Sequence, residues 1–201
     1  MRQTRRLRIA IEAVAVVTTL LAGTAAATAQ TVLGNAEAAR VTTFNLLGAT
    51  TTSLANTGSL AGAGDARDAS MLTGSVPYVL GAEVLNATTI GWPNQVDSGA
   101  SLANLGLSLA GIGISADFVM AEATALLGAL GSGASFIDNL SINGVPIAVT
   151  GAPNQTVPIP GGQVVLNEQA VSLGQTTVNA LHATVFGLSD VVVGSATASV
   201  R

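Results

Sequence analysis

His182 is the only histidine in the chain, and Glu168, Asn179 and Asp190 stand close to it in sequence. One imidazole can act as a general base. A nucleophilic triad also needs a nucleophile beside it and an acid to orient it. Asp190 and Glu168 are the acids on offer, but no G-x-S-x-G stretch presents a serine. On a strand from Val178 to Val185, His182 shares a face with Val178, Ala180 and Thr184 by simple alternation. A strand histidine making one hydrogen bond accounts for it without catalysis. A single histidine excludes multi-histidine metal sites, and the absence of cysteine excludes thiolate ones.

The other candidates weaken on the same terms. Asn167-Glu168-Gln169 ends an apolar run, so Glu168 could serve as a general acid or as a ligand for a hard cation. Polar side chains at a strand end more often satisfy backbone groups of a turn. Whether Glu168 and Asn179 converge on His182 is open at this level. Calcium wants six to eight oxygens, often from a dense acidic loop. Asp65-Ala66-Arg67-Asp68 is the only close acidic pair, and Arg67 offsets part of it. A two-carboxylate glycosidase needs acids about 5–9 Å apart in a cleft. Glycan clefts also favour aromatic platforms, and Trp92 and Tyr78 are the only Trp and Tyr. Trp92-Pro93-Asn94 reads as a loop. Gly111-Ile112-Gly113 and Gly131-Ser132-Gly133 lack a phosphate-loop lysine and read as turns or strand ends. No catalytic, cofactor-binding or metal-ligating residue is therefore assigned. No cofactor is expected, and the protein is expected not to be an enzyme.

Composition narrows the elements that carry these residues. The chain has 201 residues, 49% hydrophobic, 3% aromatic and 9% charged, with 23 glycines. An average soluble domain carries roughly 25% charge. All the basic residues are arginines. These facts exclude a basic nucleic-acid binder, a disulfide scaffold and a charge-laced coiled coil. Ordinary disorder is excluded too, since it needs low hydrophobicity and high charge. Arg2, Arg5, Arg6 and Arg8, the apolar stretch Ile9 to Leu21 and the small residues Ala27-Thr28-Ala29 form the three parts of a secretory signal. Cleavage is expected after Ala29, which leaves residues 30–201 as one domain. Thr4-Arg5-Arg6-Leu7 faintly suggests twin-arginine export, but general secretion is favoured. The mature chain then keeps Arg40, Arg67 and Arg201 against ten carboxylates, a balance of −7. That sign repels phosphate backbones and anionic lipid, so no nucleic acid is expected as partner. No span or anchor is expected in the mature chain.

The mature chain reads as strands and turns. β-branched runs bounded by Gly, Asn and Pro are the strand signature. The clearest unit is Ser135 to Ile142, the pair Asn143-Gly144, and Val145 to Val149. Asn-Gly suits a type I′ turn, where both positions need positive φ. Ile142 then faces Val145, and Leu140 faces Ile147, on one side of the ribbon. Thr156 to Pro160, a turn at Pro160-Gly161-Gly162, and Gln163 to Gln169 follow. Thr176 to Phe186 has Leu181, Ala183 and Val185 on one face. Asp190 to Val200 has Val192, Ala196, Ala198 and Val200 in phase. Ala39 to Leu47 and Met71 to Val84 also read as strands. Ile114 to Leu130 mixes helix formers with alternation, and a strand as far as Ala125 is preferred. Gly194 to Ser199 reads as a close-packed strand, with an open edge as the alternative.

From Phe136 onward the order of motifs resembles the choice-of-anchor P family of secreted bacterial proteins. The matching pieces are Leu140 to Gly144, Ala152 to Thr156, Val164 to Gln169, Thr177 to His182 and Asp190 to Ala196. The resemblance implies export and varied means of surface retention, and it brings no established activity. The chain departs from it in showing no C-terminal anchor and no cysteines. The fold expected is all-β, a single antiparallel β-sandwich of jelly-roll-like or Greek-key order, with room for one short helix. The function expected is a secreted, non-catalytic structural or cell-surface-associated protein that self-associates through sheet edges. The alternatives are a glycan- or calcium-binding module of the cell envelope, and a carboxylate-based hydrolase. The partner expected is another copy or a component of the cell envelope.

Overall fold

The computed structural model describes residues 30–46 and 48–201. The expected signal peptide over 1–29 and Leu47, the end of one expected strand, lie outside the described residues. Short apolar runs alternate with Gly, Asn and Pro turns, and β-structure takes nearly all of what is described. β1 (Val32–Asn45) and β2 (Gly48–Asn56) form a hairpin. β3 (Ala66–Val76), β4 (Leu80–Trp92), β5 (Gln95–Leu109) and β6 (Ile112–Leu126) follow as a meander. β7 (Ser132–Asp138), β8 (Ser141–Ile142) and β9 (Val145–Pro146) complete that sheet. β10 (Gln155–Ile159), β11 (Gly162–Ser172), β12 (Gln175–Val185) and β13 (Ser189–Val200) return to the first.

The result is two packed antiparallel sheets. The first has six strands in the order β10-β11-β12-β13-β1-β2. The second has seven, in the order β3-β4-β5-β6-β8-β9, with β7 also on β6. The sandwich agrees with the expectation from sequence. In the first sheet β13 against β1 joins the meander β10–β13 to the hairpin β1–β2, and the second sheet is built on the meander β3–β6, an order simpler than a jelly roll or Greek key. No helix occurs among the described residues, so the short helix is not found there; the helix formers of 114–126 sit in β6. Met71 to Val84 is divided by a turn at Pro77-Tyr78, where Tyr78 takes φ 64°. Gly194 to Ser199 lies inside the sheet, between β12 and β1, not on an edge.

The core is built from Val, Leu, Ile and Ala, and no aromatic side chain is buried in it. β1 lies across β4 and β5, and β13 across β5 and β6. Small residues let the sheets approach. A Cβ on Gly34 would stand 2.3 Å from Thr89 Oγ1, and one on Gly133 2.3 Å from Val178 Cγ2. Hydroxyls use the closeness: Ser98 Oγ donates to the Thr197 carbonyl at 2.8 Å, and Thr176 Oγ1 to the Thr124 carbonyl at 3.0 Å.

One irregularity runs through both sheets. In β12, Thr176, Val178 and Ala180 face inward, and then Leu181, Ala183 and Val185 do. The alternation slips by one residue. The same slip crosses the sheet at one level through Asn167, Ala180, Gly194, Ala38 and Ala55. Asn167, Gly194 and Ala55 take φ of 51°, 63° and 47°. A left-handed residue breaks the pleat, and such irregularities bend strands. The second sheet slips likewise at Val84, Asn104 and Asn139, with φ of 48°, 50° and 51°. A Cβ on Gly194 would meet Val119 Cγ1 of the second sheet at 3.5 Å. Outward residues three apart thus come to lie side by side on the first sheet.

Candidate functional site

That slip decides where the polar residues go. On β12, Asn179 and His182 both point outward, either side of Ala180. Simple alternation put His182 on the face of Val178 and Ala180; the structure places it on the opposite face, with Thr184. Val192 moves for the same reason. It is 2% exposed yet lies on the outer face, across from His182, while Ala196, Ala198 and Val200 face the core.

Glu168, Asn179 and His182 do converge. Asn179 Nδ2 donates to Glu168 Oε2 at 2.6 Å, and His182 Nδ1 lies 2.9 Å from the same oxygen. His182 Nε2 lies 2.9 Å from Asp190 Oδ2 on the other side. Ser195 Oγ donates to Asn179 Oδ1 at 2.8 Å and extends the chain onto β13. The members come from three adjacent strands, Glu168 from β11, Asn179 and His182 from β12, and Asp190 and Ser195 from β13, since Glu168 pairs with Asn179 and Asn179 with Ser195. Partial burial lowers the proton affinity of the imidazole. The hydrogen bond to Asp190 and the charges of Glu168 and Asp190 outweigh that effect together, and the pKa is raised above the ordinary histidine value. The two carboxylates thus favour the protonated form of the imidazole.

This arrangement is poor in catalytic means. Both ring nitrogens are engaged by carboxylates, so neither is free to take a proton from a nucleophile. Ser195 donates to Asn179, and Thr184 Oγ1 is 3.4 Å from a nitrogen that Asp190 already holds. The cluster lies on an open sheet face, and none of the four hollows described is lined by its members. Among the described residues, no group of three or more His, Cys, Asp or Glu is arranged to hold a metal ion.

Beside the cluster, Glu37 is 3% exposed. Its Oε2 pairs with Arg40 Nη1 at 3.4 Å, and its Oε1 has no partner among the described residues. Asn167 is structural. Its Nδ2 donates to the Gly151 carbonyl at 2.8 Å and pins the 147–154 loop, which runs from β9 of the second sheet to β10 of the first. Gln169 Nε2 reaches the Gly133 carbonyl of the other sheet at 3.1 Å. These two do satisfy backbone groups, though in the middle of β11 and not at a strand end. Asp65 accepts from the backbone of Ala61 and from Arg67, which together hold its carboxyl below the usual range.

Among local expectations, Asn143-Gly144 forms the turn, with φ of 50° and 74°. Ile142 pairs with Val145, and Ile147 N donates to the Leu140 carbonyl at 2.8 Å. The ladder is shorter than expected, and Val145 is exposed at the margin. Trp92-Pro93-Asn94 is the tight turn between β4 and β5. Sequence reasoning missed Asp97 and Glu122, which lie diagonally across β5 and β6 on the outer face of the second sheet. Strand alternation alone would have placed them there.

No family model, curated protein or solved structure matches the chain. The fold and the histidine bridge define the class directly: an antiparallel β-sandwich with a charged network on one face.

Proposed function

We propose that the protein is an exported, non-catalytic structural or cell-surface-associated β-sandwich that joins to further copies of itself through one pair of sheet edges. The observation that carries this reading is the contrast between the two sides of the sandwich. On one side, β9 has two residues and ends in Pro146, β10 carries Pro158, and the 147–154 loop crosses between them. Proline and short strands are how sheet edges are blunted. On the other side, β2 and β3 lie next to each other as the outermost strands of their sheets. They have 9 and 11 residues and no proline, and Arg67 and Asp68 are their only charges. Leu72 on β3 is 80% exposed, beside exposed Met71 and Val84. A two-fold axis along the sheet normal sets β2 against β2 and β3 against β3, both antiparallel, so both sheets continue together.

Export and removal of residues 1–29 are compatible with the fold, because pairing starts where Thr31 and Arg201 exchange backbone hydrogen bonds. The motif resemblance to the choice-of-anchor P family supports the same location. Light scattering on residues 30–201 tests the association. A dimer or larger species is expected, reduced to monomer by Thr50→Lys with Leu72→Lys, both at exposed edge positions. A monomer at every concentration would remove the proposal.

A further inference from the structure

The outer face of the second sheet carries a trough that the edge association leaves open. Gly99, opposite Glu122 on the outer face, has no side chain to fill it. Three hollows of about 380, 140 and 120 Å³ meet at Glu122, which lines all of them. Asp97 lines the first, and Gln95 Nε2 donates to its Oδ2 at 2.7 Å. Its Oδ1 is buried with no donor among the described residues. Thr88, Thr124 and Gln95 add groups that donate as well as accept.

Aromatic side chains stand at the two ends. Outward residues of β4 here run Asn86, Thr88, Ile90, Trp92, so Trp92 shares the face of the trough. It is 41% exposed and pairs with Gln95. At the far end Phe136, 53% exposed, pairs with Met120, which lines the second hollow. Rings of this kind have an apolar body on which a flat ligand can rest. The trough is open along its length, so its ligand is extended. It excludes anions, because no cation stands beside Asp97 and Glu122 among the described residues that line it.

We propose that this trough binds an extended neutral glycan. Its hydroxyls donate to Asp97 and Glu122 and accept from Thr88, Thr124 and Gln95, and its sugar faces rest on Trp92 and Phe136. A cationic peptide would satisfy the carboxylates but leave the donors and aromatic ends unused.

The test is calorimetric titration of residues 30–201 with neutral hexasaccharides: β-1,4-linked glucose, mannose and N-acetylglucosamine, and α-1,6-linked mannose. Hexalysine is titrated in parallel. The blocking variant is Gly99→Val. An added Cβ there meets nothing closer than the Ala121 carbonyl at 3.7 Å, an ordinary van der Waals contact, so a side chain can start at that position and fill the floor. At least one hexasaccharide is expected to bind saturably, with affinity reduced tenfold or more by Gly99→Val and by Trp92→Ala. No binding by any hexasaccharide, equal binding by Gly99→Val, or binding of hexalysine alone overturns the proposal. The edge variant with Thr50→Lys and Leu72→Lys retains glycan binding, which separates this result from the fate of the association.

Discussion

His182 shows how far single residues can be read. Its uniqueness and its two acidic neighbours in sequence, Glu168 and Asp190, were visible at once. Their meeting was not, because alternation put the imidazole on the wrong face. Once placed, it makes a testable contribution. A folded-state pKa raised above the ordinary value of about 6.5 gives stability that is complete below that pH. The contribution is lost as pH rises through the raised folded value. Thermal unfolding between pH 5.5 and 9 is therefore expected to show Tm falling at the alkaline end. His182→Gln, which carries no titrating imidazole, is expected to flatten the profile over that range. The change amounts to a few degrees, because Glu168 and Asp190 are each about a third exposed and solvent screens the pair. Identical profiles for the two proteins would show that the bridge contributes nothing to folding.

Strands and turns were legible where the signal is local. Asn143-Gly144 specifies its turn through the φ of two residues, and it folds as read. The strand character of Ile114 to Ala125 was also recoverable, because its alternation outlasted its helix formers. The slip across both sheets was not recoverable. Asn104, Asn139 and Asn167 sit within or beside apolar strand runs, and nothing nearby marks them as left-handed. Their tolerance of positive φ is the one available cue. The slip makes its own prediction. At Gly194, φ is 63° and a Cβ would stand 3.2 Å from that of Ala180. Gly194→Ala is expected to cost about 1–2 kcal/mol from the left-handed backbone alone. Asn167→Ala, which also loses the bond to Gly151, is expected to cost about 1–3 kcal/mol. Urea denaturation measures both. Values near zero would mean that the line of slips is loosely held and does not define the bend.

For the whole molecule, the low aromatic content sets the architecture. Small aliphatic side chains bury little area each, at about 25 cal/mol per Å². Close sheets offset this, with glycines at the points of nearest approach and hydroxyls bridging to backbone carbonyls. The few aromatic side chains are left for turns and outer faces, among them Trp92 and Phe136 beside the trough. Charge is equally sparse, and its distribution distinguishes the two sides. Carboxylates cluster on the sheet faces, whereas β2 has none and β3 only Asp68. An edge so lightly charged, next to exposed Leu72, favours pairing with another strand.

Amide hydrogen exchange of residues 30–201, followed across a hundredfold range of protein concentration, reads that edge pairing strand by strand. Amides of β2 and β3 are expected to exchange progressively more slowly as concentration rises, while those of β9 and β10 keep constant rates. Rates in β2 and β3 that do not change with concentration would contradict association through these edges.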